Sequence, residues 1–224
     1  MGGPLLDPPP AALRLAAALR RAIGLLVDQE CPPDALLRAG QLAESACDEL
    51  AGTRRPRWYE GESPATDPGE ATQRAYLEQS PIRGRLNPVA PPLEVEGWID
   101  RDDGRRVLRA TAFLGPAYEG PPHGVHGGWV AALFDDLLGQ AQQAVAKAGV
   151  TASLRVRYRH VTPLEELLRL DAWIHEDRGR RVTARATCHA GATLTADAEA
   201  IFVGVDFEEI RGRMLSRRAP GSGD

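Results

Sequence analysis

The chain has no long uninterrupted apolar run. Its most apolar N-terminal stretch, residues 11–27, is broken by Arg14, Arg20 and Arg21, too often for a signal-peptide core or a membrane span. A cytoplasmic protein with no membrane contact is therefore expected. Cysteine is scarce as well: Cys31, Cys47 and Cys188 are an odd number with no CxxC or zinc-like spacing, which fits a reducing compartment better than a disulfide scaffold. A basic surplus is missing. With 27 Lys and Arg against 31 Asp and Glu the net charge is −4, whereas nonspecific nucleic-acid binding needs an excess of the opposite sign. Gly-x-Ser-x-Gly, the P-loop and the dinucleotide fingerprint are absent, as are internal repeats, which disfavours a serine hydrolase, an NTPase and a Rossmann oxidoreductase.

What is present is an ordinary globular composition. At 43% hydrophobic and 26% charged over 224 residues, the chain has room for one well-buried domain plus an appendage. Residues 1–52 read as a helical extension. Leu13, Ala16, Ala17, Ile23, Leu26 and Val27 recur at roughly helical spacing, and a second helix is expected over 33–50, with Asp34 in its first turn and Gly52 past its end. The expected role of these helices is to cover an apolar patch of the main domain. Residues 53–92 hold seven prolines (Pro56, Pro64, Pro68, Pro81, Pro88, Pro91 and Pro92) and read as a linker or lid. Residues 93–207 form the main domain, and 208–224 a tail.

Within the main domain, alternation marks strands with one dry and one wet face. Strands are expected around 93–99, 107–114, 151–161, 167–175, 182–189 and 194–202, with turns at Asp102-Asp103-Gly104, Asp177-Arg178-Gly179 and Ala190-Gly191-Ala192. Short turns imply antiparallel neighbours. A helix over about 129–148 interrupts them, and Val130, Leu133, Phe134, Leu137, Leu138, Ala141 and Val145 give it one apolar stripe. The fold class is thus α+β, an antiparallel sheet of five or six strands wrapped around one long central helix. Asp135 and Asp136 flank the stripe at similar angles, so periodicity does not say which of them enters a cleft.

The segment that carries chemistry is Val125-His126-Gly127-Gly128, followed by Asp135 on the helix. Adjacent glycines at a helix start admit close approach of a ligand and leave unpaired N–H groups pointing outward, suited to an oxyanion. A carboxylate can attack a carbonyl carbon or activate water. Eight residues separate Gly127 from Asp135, a rise of roughly 12 Å along a helix, whereas one reacting carbonyl must lie about 3 Å from both groups. A two-fold dimer could bring the glycine loop of one copy to the aspartate of the other.

These residues resemble the hotdog thioesterases of the phenylacetate-pathway and long-chain acyl-CoA type. The likeness rests on Val125-His126-Gly127-Gly128, on Asp135 nine residues after the histidine, on residues 149–154 leading to Tyr158 and Pro163-Leu164, and on the lead-in Glu119-Gly120-Pro121-Pro122. It implies an acyl-CoA thioesterase without a cofactor, assembled as a homodimer or a dimer of dimers. The implied roles are Asp135 as nucleophile or general base, the Gly127 amide as polariser of the thioester oxygen, and Thr151 as the residue that positions water across the interface. His126 would shape the loop. Gly128 and Gly120 would line the substrate; many relatives carry Asn or Gln at the position of Gly120. Arg157, Arg159 or His160 would meet the CoA phosphates, although a stripe of arginines on a strand is usually a solvated face. His123 and His126 lack the helical spacing of zinc enzymes, so no metal is expected. Two other readings remain: a hotdog hydratase or dehydratase, and a noncatalytic acyl-CoA-binding module.

Overall fold

The computed structural model describes residues 8–53, 77–91, 93–143, 145 and 149–205. Two helices come first, α1 (Pro10–Asp28) and α2 (Pro33–Glu49), each with a proline at its start, where the missing N–H costs nothing. The main domain then runs β1 (Leu93–Asp100), β2 (Arg106–Phe113), a short 3-10 turn (Pro116–Tyr118), α3 (Gly127–Gln143), β3 (Gly149–Tyr158), β4 (Leu167–Arg178), β5 (Arg181–Ala190) and β6 (Thr193–Gly204). The six strands form one sheet in the order β1-β2-β4-β5-β6-β3, with every neighbouring pair antiparallel. This is the hotdog arrangement: the sheet wraps α3, and β1 and β3 are its two edges.

The fit between helix and sheet comes from size complementarity. Helix α3 buries large side chains, Leu133, Phe134, Leu137 and Leu138, against an inner sheet face built largely of alanine, with Ala110, Ala172, Ala184, Ala186, Ala196 and Ala200 all almost fully buried. Small residues on the strands let the helix sit close to the sheet. The helix begins two residues earlier than its apolar stripe suggests. Gly127 and Gly128 carry no apolar signal, yet they form its first turn.

The N-terminal helices depart from expectation. Helix α1 does reach the domain, where the Arg20 guanidinium donates to the backbone carbonyls of Asn87 (3.0 Å) and Ala90 (3.4 Å), and Ala16 is buried. Helix α2 buries no residue, and its Leu36, Leu37 and Leu42 are exposed. Among the described residues it buries none of its own side chains against the main domain. Of the expected linker, residues 54–76, including Trp58, Tyr59 and Tyr76, lie outside the described residues; 77–91 form a strap of turns. The expected tail, residues 208–224, lies wholly outside them, as do residues 206 and 207 of the expected main domain. Among the described residues no helix is long and apolar enough to cross a membrane.

The outer sheet face holds one fully buried charge. Asp171 on β4 is 0% exposed, accepts two hydrogen bonds from Arg109 (2.7 and 2.9 Å) and one from Arg101 (3.1 Å), and has Arg169 at 3.9 Å. Burial opposes its ionisation, but the hydrogen-bonded Arg109 and the charges of Arg109, Arg169 and Arg101 outweigh that, so its pKa lies below the ordinary 3.8. Asp171→Asn leaves the arginines facing one another without their shared anion, and urea unfolding at neutral pH is expected to show a loss of about 3 kcal/mol. Because the folded-state pKa is depressed, this contribution is fully present above about pH 4 and disappears as pH falls through the folded-state value. The stability gap between wild type and variant should therefore close in acid, which unfolding curves at a series of pH values will measure.

Candidate active site

The segment before α3 is fixed by its own backbone. Gly120 N–H donates to the Gly124 carbonyl at 2.9 Å, and Gly124 N–H donates to Pro121 at 2.8 Å. His123 takes a left-handed φ of 58° while its N–H donates to the Glu119 carboxylate at 2.8 Å. Val125 N–H donates to Thr162 at 2.8 Å and Leu164 N–H to His123 at 3.1 Å, stitching the loop to the segment after β3. A Cβ on Gly120 would stand 2.6 Å from the Cα of His126, closer than real atoms approach. The side chain that many relatives carry there has no room in this loop. Gly120 is a packing position against His126.

At the start of α3 the amides are shared out unevenly. The Gly128 N–H donates to His126 Nδ1 at 3.0 Å, so His126 acts as the helix cap with Nδ1 unprotonated. Trp129 and Val130 both donate to the His126 carbonyl, at 2.9 and 3.3 Å. Gly127 is left as the first-turn amide with no acceptor among the described residues. This N–H sits at the positive end of the helix dipole, where a negative oxygen is stabilised. Trp129 is held edge-on to Tyr118, with ring centroids 5.1 Å apart, so the capped turn rests on the 3-10 turn before it.

A cavity of about 500 Å³ opens beside this amide, with Gly127, Tyr158, Arg159 and His160 on its wall together with Val125, Val130 and Val161. It brings together the expected polariser Gly127 and two of the expected substrate contacts, Arg159 and His160. Arg159 also donates to Asp197 at 2.5 Å, which offsets part of its charge. Arg157 does not line the cavity; it is exposed on β3 opposite Asp197. Gly128 and His126 are exposed at the helix start.

Asp135 lies elsewhere, exposed on the flank of α3 that faces β3. Its carboxylate accepts a hydrogen bond from the Thr151 hydroxyl at 2.9 Å. This contact is made within one chain, whereas the family resemblance implied a meeting across an interface. A β-bulge between Thr151 and Ser153 creates it: Thr151 pairs with the core residue Phe202, while Leu154 pairs with Ala200, so the extra residue turns Thr151 onto the helix face. Simple alternation places Thr151 on the outer face with Ser153 and Arg155.

Asp136, which periodicity does not distinguish from Asp135, is mostly buried. It accepts from Gln140 at 2.9 Å and faces Arg83 of the strap at 3.2 Å. Burial pushes its pKa up, against the pull of Arg83 and Gln140, with the nearby Asp135 charge adding to the rise. The two neighbouring carboxylates thus have opposite environments. No cluster of three or more potential metal-ligating side chains occurs among the described residues.

Tyr158 is the site residue that sequence reasoning left without a role. Its phenol donates to the Gly127 carbonyl at 2.8 Å. The signal available in the sequence was a tyrosine in step with Leu154 and Val156 on one face of its strand.

No protein-family model matches the chain. Among solved structures, a crystal structure of a thioesterase superfamily protein superposes with a TM-score of 0.68 at 31% identity, covering 90% of this chain and all of that one. Among curated proteins, acyl-coenzyme A thioesterase THEM4 of Xenopus laevis is 31% identical over 91 residues, 40% of this chain and 41% of that protein. Acyl-coenzyme A thioesterase THEM5 of Homo sapiens is 25% identical over 97 residues, 42% of this chain and 39% of that protein. The chain thus matches about two fifths of the length of these curated relatives.

Proposed function

The chain belongs to the thioesterase superfamily, and from that premise we propose that it hydrolyses the thioester of an acyl-CoA to a free acid and CoA. The observation that carries this reading is the pair of features on α3: an amide without an acceptor at Gly127 and a carboxylate held by a hydroxyl at Asp135. Asp135 takes a proton from water, or attacks directly, as the new C–O bond forms at the thioester carbon. Negative charge then gathers on the carbonyl oxygen, where the Gly127 N–H receives it. Collapse of that adduct breaks the C–S bond and the sulfur leaves as thiolate. On the water route it recovers the proton held by Asp135 and the acid is free. On the direct route the acyl group stays on Asp135 as an anhydride that water then hydrolyses, supplying the proton for the thiolate. Neither a metal nor a cofactor takes part in this scheme.

The two groups stand roughly 12 Å apart along one helix, so one carbonyl reaches both only if they come from different protomers. The proposed active form is a homodimer, or a pair of such dimers. The edge of β3 is free of a partner strand among the described residues, and an unpaired edge strand is a template for pairing with a second copy. Arg159 and His160 serve the phosphates of CoA at the mouth of the cavity.

Incubation of the purified chain with a panel of acyl-CoAs and a thiol-trapping dye tests the activity. Free CoA should appear with at least one acyl group. Loss of enoyl absorbance without thiol release would indicate a hydratase instead, and acyl-CoA binding with no chemistry would indicate a binding module.

A further inference from the structure

We infer that Tyr158 is a positioning residue that holds the Gly127 amide on the thioester oxygen; this rests on the oxyanion role given to Gly127 above. A glycine that opens a helix is the least constrained residue available for that role, because its φ and ψ are free to wander. An oxyanion donor displaced by an ångström loses most of its value. Something must therefore stop Gly127 from moving. His126 fixes the next amide, at Gly128, through its Nδ1, and its carbonyl, in the same peptide plane as the Gly127 N–H, accepts from Trp129 and Val130. The plane on the far side of Gly127 needs a restraint of its own.

Tyr158 restrains Gly127 in two ways. Its hydroxyl donates to the Gly127 carbonyl at 2.8 Å, an oxygen in the first turn of α3. Its ring also blocks the open side of the glycine: a Cβ at position 127 would stand 3.2 Å from both Cζ and Oη, and 3.3 Å from Cε1. The aromatic ring thus occupies the space that a side chain on residue 127 would use. The peptide planes on either side of Gly127 are pinned, and its N–H keeps one direction.

The location of Tyr158 ties both halves of the chemistry to a single strand. It is the last residue of β3, and Thr151, which holds Asp135, lies near the first. The helix sets the spacing of roughly 12 Å between the amide and the carboxylate of its own chain, and β3 braces both of its ends, through Thr151 and Tyr158. If the β3 edges of two protomers pair, the same strand sets the spacing between each amide and the partner's carboxylate.

Tyr158→Phe keeps the ring and removes the hydroxyl. The expected result is a kcat lower by about tenfold to a hundredfold, with KM within about twofold and an unchanged melting temperature. In hydrogen-exchange measurements on the wild type and the variant, the segment containing Gly127 should exchange faster in the variant. Asp135→Asn is measured in the same assays. Thiol release lost in Asp135→Asn but intact in Tyr158→Phe overturns this inference alone. A change in KM with kcat untouched also overturns it, since that would make the hydroxyl a substrate-binding group. A wild-type chain that turns over no acyl-CoA overturns the hydrolase reading and this inference together.

Discussion

Asp135→Asn is expected to leave a folded protein whose acyl-CoA turnover has fallen about a thousandfold or more. The substitution is nearly isosteric at an exposed position, where surface changes shift stability by about 0.5 kcal/mol or less, and the amide oxygen can still accept from Thr151. What is lost is the ability to take a proton or to attack, functions worth roughly 10²–10⁴ in rate for a well-placed base. Thiol release from the best acyl-CoA, set beside a thermal melt, separates the chemical loss from any structural one. Asp136→Asn is the matching control. Asp136 is buried against Arg83 and Gln140 with a raised pKa, so its loss should loosen the contact between strap and helix while turnover persists. Abolition of activity by Asp136→Asn together with survival of Asp135→Asn would transfer the chemistry to the buried neighbour.

That contrast shows where the sequence was readable. The inner faces of β5 and β6 follow strict alternation, with Val182, Ala184, Ala186 and Cys188 buried on one strand and Ala196, Ala198, Ala200 and Phe202 on the next, because one sheet face meets the core and the other does not. The apolar stripe of α3 was equally plain. A helical wheel, however, puts Asp135 and Asp136 at similar angles to that stripe, and what separates them is long-range: the strap brings Arg83 to one side and β3 brings Thr151 to the other. Strand periodicity failed at Thr151 for a related reason. A bulge costs one residue of register and leaves no compositional trace, yet it turns that side chain from the outer face to the helix. Gly120 shows the opposite lesson, since the departure from the family pattern at that position has a steric cause in the close approach of His126.

The requirement for two protomers leads to a second large effect, a recovery of activity from two inactive proteins. Gly127→Val places a branched side chain where even a Cβ would already crowd the Tyr158 ring at 3.2 Å, so the loop shifts and the oxyanion donor is lost. Alone, this variant and Asp135→Asn should each be inactive. In a mixed dimer, one of the two sites takes its Gly127 from the Asp135→Asn chain and its Asp135 from the Gly127→Val chain, and so is intact, while the other site carries both lesions. Random re-pairing of equal amounts makes about half of the dimers mixed, each with one working site of two, and so restores about a quarter of wild-type turnover. Denaturing and refolding the mixture allows exchange, and each variant refolded alone sets the baseline. A site contained within one chain predicts no recovery at any mixing ratio, because every chain in the mixture then carries a lesion in its own site. Recovery that rises and falls with the product of the two variant fractions would place Gly127 and Asp135 on opposite sides of one reacting carbonyl.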